Sequence, residues 1–128
     1  MNRYIFIAGL ISAAATIGHA SVSRKKYLKP MLKAEFDPAA KKIMHCMYHY
    51  VSAFSCLSTV MLLIIGLNIW FGAGIALVIL FITTNYLICA ILQMIIAVRS
   101  GIPNGLFKLF QWIFFLLIAL FSFLGIVI

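Results

Sequence analysis

The strongest constraint on this chain is a series of apolar runs, each long enough to cross a bilayer and none of them alternating with polar residues. The runs cover roughly residues 4–22, 45–67, 75–98 and 108–127, and a transmembrane helix needs about 20 mostly apolar residues. In hydrocarbon, backbone N–H and C=O groups must be paired inside a helix or a closed barrel. Barrel strands alternate apolar and polar residues; these runs do not, so a sheet is excluded. The expected fold is all-α, a polytopic membrane protein built as a four-transmembrane-helix bundle with antiparallel neighbours. Composition agrees, with 66% hydrophobic and 9% charged residues and a mean hydropathy of +1.18, against roughly 45–50% apolar residues in soluble domains. Residues 1–128 therefore form a single membrane domain.

The net charge of +8 does not point to nucleic acid, because of where the charge lies. Arg24, Lys25, Lys26, Lys29, Lys33, Lys41 and Lys42 share the connection 23–44, and Arg99 and Lys108 border the connection 99–107. Basic residues close to spans stay on the cytoplasmic side. Both connections are therefore expected to be cytoplasmic, with the N- and C-termini external. Tyr4 to Val22 is also long enough for a signal peptide, and Gly18-His19-Ala20 loosely fits a cleavage site. Cleavage would strand Arg24, Lys25, Lys26 and Lys29 on the translocated side, so the run is read as an uncleaved first span.

Within the basic connection, Tyr27, Leu28, Met31, Leu32 and Phe36 fall on one half of a helical wheel, with Lys26, Lys29 and Lys33 opposite. Such a segment can lie among headgroups, and Lys25, Lys26, Lys29 and Lys33 are the expected contacts to anionic lipid. Pro30 limits its regularity unless it sits in a first turn. Asp37-Pro38 reads as a helix start, with Asp as N-cap and Pro at the first helical position. The second helix thus begins outside the hydrocarbon and enters it near His45 to His49. Asn68 to Gly74, with Trp70 at the interface, makes the external turn, and residues 100–105 are a breaker cluster.

Two polar stripes suggest how the first two spans meet. Gly9, Ser12, Thr16, His19 and Ser23 recur at spacings of three and four, as do His45, His49, Ser52, Cys56 and Thr59, and small-residue faces are what membrane helices pack with. Antiparallel pairing then sets Gly9 near Thr59 and gathers His19, His45 and His49 at one depth, with His19 against His49. Three imidazoles there are candidate ligands for a transition metal or haem; the alternatives are interhelical hydrogen bonds and acid–base use. Asn85 and Gln93 are the polar intramembrane residues of the third run. A lone Asn of this kind is expected to bind helices together rather than line a path.

Other chemistry is absent from the sequence. There is no G-x-S-x-G, no H-E-x-x-H and no glycine-rich phosphate loop, which points away from an enzyme. The only acids, Glu35 and Asp37, lie in the basic connection, which disfavours a proton-coupled carrier. Cys46, Cys56 and Cys89 show no C-x-x-C spacing and read as small apolar fillers.

The segments His19-Ala-Ser-Val-Ser-Arg-Lys-Lys-Tyr-Leu-Lys-Pro-Met-Leu and Tyr48-His49-Tyr-Val-Ser52, with Gln111-Trp112 opening the last span, resemble a pattern of small bacterial four-span integral membrane proteins. In that pattern a His ends the first span and an aromatic-His pair opens the second; Tyr48 and Met31 stand here where Trp and Leu are usual. The resemblance implies the four-span architecture, favours His19 and His49 over His45, and carries no activity with it. The expectation is a multi-pass protein of the cell inner membrane acting as a non-enzymatic scaffold or accessory subunit, with the bilayer and a second copy or another membrane protein as partners. A metal or haem binder and a small carrier or channel are the alternatives.

Overall fold

The computed structural model describes residues 1–128 and contains helices and turns but no strand. α1 (Arg3–Gly18) passes without a break through a π-helical segment (His19–Leu28) into α2 (Lys29–Lys33), making one continuous helix, Arg3–Lys33. α3 (Pro38–Gly66), α4 (Ile75–Arg99), the short α5 (Gly105–Lys108) and α6 (Gln111–Val127) follow. Three helices, Arg3–Lys33, Pro38–Gly66 and Ile75–Arg99, are long and apolar enough to cross a membrane, and Gln111–Val127 is a shorter apolar helix.

The basic connection is therefore mostly helix. Only Ala34 to Asp37 leave helical geometry between α2 and α3, and the amphipathic segment read within this connection is the continuation of the first helix. A helical hydrogen-bond ladder does not need apolar side chains, and Lys and Leu are good helix formers, so the helix outlasts the apolar run. Leu28 is buried, Met31 and Leu32 are half-buried, and Lys25, Lys26, Lys29 and Lys33 are exposed, but Tyr27 and Phe36 of the expected apolar half are exposed as well, so the two-sided pattern holds only over residues 28–33.

The π segment has identifiable causes at both ends. At its start the Tyr48 hydroxyl donates to the His19 carbonyl at 2.6 Å, and a side chain bonded to a helix carbonyl disturbs the regular ladder. At its end comes Pro30, which has no N–H and whose ring crowds the preceding turn. The wider pattern, seen where the Lys29 N–H reaches Arg24 O, accommodates both.

The Asp37 cap holds where it was expected, and two asparagines add further ties. Asp37 accepts from Ala40 N at 2.8 Å with Pro38 at the first helical position. Asn68, at φ 59°, closes α3: its N–H reaches Ile65 O and that of Ile69 reaches Ile64 O, both at 3.0 Å, the paired bonds of a Schellman ending. Asn2 ties three helices together. It caps α1 by accepting from Ile5 N at 3.2 Å, its side chain donates to Gly125 O at 2.7 Å, and its own N–H donates to Gly66 O at 2.9 Å.

α1 packs against α3 on one side and α6 on the other, and α6 packs against α4. The lateral order is therefore α3, α1, α6, α4. Glycine makes the closest approaches possible: a Cβ on Gly66 would lie 2.7 Å from Phe6 Cα, and one on Gly125 would overlap Ile5. Ile5, Ala8, Leu62, Ile65, Ile79, Ile82, Tyr86, Ile118 and Ala119 form the core between α1, α3, α4 and α6. Only 21 of 128 residues are buried, so most of the apolar surface faces outward. Leu57, Leu77 and Phe81 are each more than 60% exposed, a distribution suited to hydrocarbon and unfavourable in water.

Candidate functional site

The α1/α3 interface carries the polar residues, and its register can be read from contacts. Gly9 lies against Leu63, Ser12 and Thr16 against Thr59, and His19 against Ser52 and Tyr48. Rising numbers on α1 meet falling numbers on α3. The pairing is one turn further along than the sequence stripes implied, since Gly9 was expected at Thr59 and His19 at His45 and His49.

The face of α3 also differs. Tyr48, Ser52, Ser55, Thr59 and Leu62 turn toward the bundle, while Cys56 and His49 are exposed. Both ladders contain Ser52 and Thr59 at spacings of three and four, and small residues at both 55 and 56 gave the pattern nothing to choose between them. All three cysteines face outward rather than filling the interior.

The direction of each hydroxyl bond follows from donor accounting. Thr59 Oγ1 donates to Ser55 O at 2.8 Å, so it must accept from Ser12 Oγ at 2.7 Å. Ser12 then has no hydrogen left and accepts from the Tyr86 hydroxyl at 3.1 Å. Thr16 Oγ1 donates to Ser12 O at 2.8 Å, so its 3.2 Å approach to Thr59 has no hydrogen to share. The series runs one way, Tyr86 to Ser12 to Thr59, and ends on a backbone carbonyl. It binds three helices and leaves no free proton to pass on.

The same accounting fixes His19. Ser52 Oγ donates to Tyr48 O at 2.9 Å and so accepts from His19 Nε2 at 3.0 Å. Nε2 also lies 3.4 Å from Tyr48 O, which can only accept, so this nitrogen carries a hydrogen. The ring stacks on Tyr48 with centroids 4.3 Å apart and planes inclined by 20°. The His19 ring is thus held by stacking on Tyr48, by the Ser52 hydroxyl and by the Tyr48 carbonyl, all at one turn of α3.

The expected three-histidine cluster is split in two. His45 and His49 face each other across one turn of α3 with Nε2 atoms 3.1 Å apart, half-exposed and exposed respectively. Tyr48 stands between that pair and His19, stacked on His19 and edge-on to His49 at 5.6 Å. No three side chains of metal-ligating type converge anywhere in the chain. The aromatic-His pair of the sequence does mark this place, but it is the Tyr, not the His, that meets the first helix.

Of the two intramembrane amides, Gln93 bridges helices, donating to Gln111 Oε1 at 2.7 Å. Asn85 bonds within its own helix, to Phe81 O at 2.8 Å, and so does not join helices as expected. Tyr86 was not singled out by the sequence, which placed it only inside an apolar run. Its ring packs between Phe54 and Phe115 at 5.5 and 5.7 Å.

Beside His19, at the end of the bundle that carries the basic residues, a cavity of about 230 Å³ opens between α1, α3 and α6. Ala15, Gly18 and Ser23 line it from the first helix, Val51 from α3, and Gln111 and Phe114 from α6. No protein-family model, curated protein or solved structure matches the chain.

Proposed function

We propose that this is a four-span integral membrane protein of the cell inner membrane, with antiparallel helices, external termini and cytoplasmic basic connections, working as a non-enzymatic scaffold or accessory subunit. The observation that carries the functional reading is the closed hydroxyl series. Every hydrogen in it is committed inside the bundle, so the polar residues of the α1/α3 interface are used in joining helices. The architecture is supported by the contact register, by the outward apolar surface and by the clustering of basic residues at one end. The 17 residues of α6 rise about 25 Å, slightly under a hydrocarbon thickness of about 30 Å.

The test combines topology with stability. Reporters fused after Ile128 should be active only outside, and reporters inserted at residues 100–104 only inside. Ser12→Ala and Tyr86→Phe should weaken the bundle and its association with a second copy or partner together. A turnover or flux activity lost in these variants while the bundle keeps its full stability overturns the scaffold reading.

A second reading, transition-metal binding, is favoured by the His45–His49 pair. Two imidazole ligands at about 2.0–2.1 Å from one metal, at angles near octahedral or tetrahedral, place their nitrogens roughly 2.9–3.4 Å apart. The observed 3.1 Å falls in that interval. On this reading the pair is a half-site that a second copy completes. Stoichiometric metal that survives His19→Ala and is lost in His49→Ala supports it, and no retained metal in the wild-type protein removes it.

A further inference from the structure

We propose that the cavity beside His19 seats one acyl chain of an anionic phospholipid, taken from the leaflet at the basic end of the bundle; this rests on the membrane reading above. Ser23 lacks the bond that a helical serine usually makes. A helical serine ordinarily donates to the carbonyl four residues back, as Ser21 does to Ile17 O at 2.7 Å and Ser52 does to Tyr48 O. For Ser23 that carbonyl belongs to His19, and the Tyr48 hydroxyl occupies it at 2.6 Å. Ser23 is consequently 8% exposed, lines the cavity, and has no hydrogen-bond partner within the protein. Its oxygen is not sealed off, unlike Thr83 Oγ1 and Ser122 Oγ, but opens onto the cavity, where a ligand acceptor can take its hydrogen.

Gln111 is the second unengaged donor at the same cavity. Its Oε1 accepts from Gln93, which leaves its amide hydrogens free toward an acceptor. Ala15, Val51, Phe114 and Phe115 make most of the remaining wall hydrocarbon, with Ser55 beside them. The volume of about 230 Å³ exceeds the roughly 150 Å³ of an engineered apolar cavity that holds benzene, so a stretch of methylenes fits. At the rim, Tyr27 donates to Lys108 O at 3.4 Å, and Arg24, Lys25 and Lys26 adjoin Ser23 along the helix, all exposed. Free donors on the wall, hydrocarbon beside them and three cations in the helix between the lining residues Ser23 and Tyr27 match ester oxygens, an acyl chain and a phosphate.

The full chain, purified in nonionic detergent, is given phosphatidylglycerol and phosphatidylcholine of identical chains and read by native mass spectrometry. One phosphatidylglycerol per chain should be retained, with phosphatidylcholine roughly tenfold weaker. A Cβ on Gly18 meets nothing within 4 Å, so Gly18→Leu fills the cavity without backbone strain and should abolish retention at unchanged helix content. Ser23→Ala should weaken it roughly fivefold to tenfold. Retention of the lipid by Gly18→Leu at wild-type stoichiometry overturns the proposal, as do equal retention of the two lipids and displacement by an equal concentration of free fatty acid. Should Gly18→Leu lose its helix content, Ser23→Ala decides, and unchanged binding there overturns the proposal. Release of the chain from vesicles by alkaline carbonate defeats the membrane reading instead, a result separate from all of these.

Discussion

Tyr48 and His19 hold each other twice. Their rings stack with centroids 4.3 Å apart, and the Tyr48 hydroxyl donates to the His19 carbonyl at 2.6 Å. One contact fixes a side chain and the other disturbs a backbone, and the π segment begins at the same residue.

Tyr48→Phe separates the two effects. The stack remains, the carbonyl loses its extra donor, and Ser23 can then bond back to His19 O. Unfolding in detergent should show a loss of about 0.6 kcal/mol, the average for interhelical hydrogen bonds in membranes, and lipid retention should fall because Ser23 is now satisfied. Unchanged lipid retention would show that Tyr48 does not control Ser23.

His19 and His49 should respond differently to alanine. His19 bridges two helices, so His19→Ala removes the ring stack as well as the bond to Ser52 and should destabilise the bundle by about 1–2 kcal/mol. His49 is exposed and bonded only within its own helix, so His49→Ala should leave the unfolding midpoint within error. Equal losses for the two variants would place His49 in the interface alongside His19.

Gly66→Ala tests the close approach of α1 and α3. The added Cβ would sit 2.7 Å from both Phe6 Cα and Phe6 N, atoms of backbone that cannot rotate away. Separating the helices there also strains the Asn2 N–H bond to Gly66 O. A destabilisation of about 1–3 kcal/mol is expected, measured by thermal unfolding against Gly18→Ala, which meets no such obstacle.

Replacing Lys25, Lys26, Lys29 and Lys33 together by Gln should weaken retention of anionic lipid by the detergent-purified chain, by about 1 kcal/mol per charge near the surface. Retention of neutral lipid should not change. An unaltered preference for anionic lipid would remove these lysines from lipid contact.

Much of the architecture was legible because it rests on local rules. Asp37-Pro38 announced a helix start through capping chemistry that needs no tertiary partner, and Asn68 to Gly74 announced a turn. The interface was legible only in part. Spacing identified Ser12, Thr16, His19, Ser52 and Thr59 as facing residues, but an axial shift of one turn and a choice between Ser55 and Cys56 both lie beyond periodicity. The π segment was not legible at all, because half its cause is a hydroxyl from another helix. Asn2 was missed for a similar reason: a polar residue at the edge of a span looks like solvation until the carbonyls of Gly66 and Gly125 are beside it.

The lateral order α3, α1, α6, α4 makes the molecule a pair of hairpins joined side by side. The chain passes from one to the other through the 67–74 turn, yet they touch chiefly through α1 and α6, with Tyr86 reaching across to Ser12. The covalent link between hairpins is thus a tether and carries little of the contact between them. A gene divided at Gly72, with both halves produced in one cell, should yield fragments that insert independently and reassemble into the same bundle.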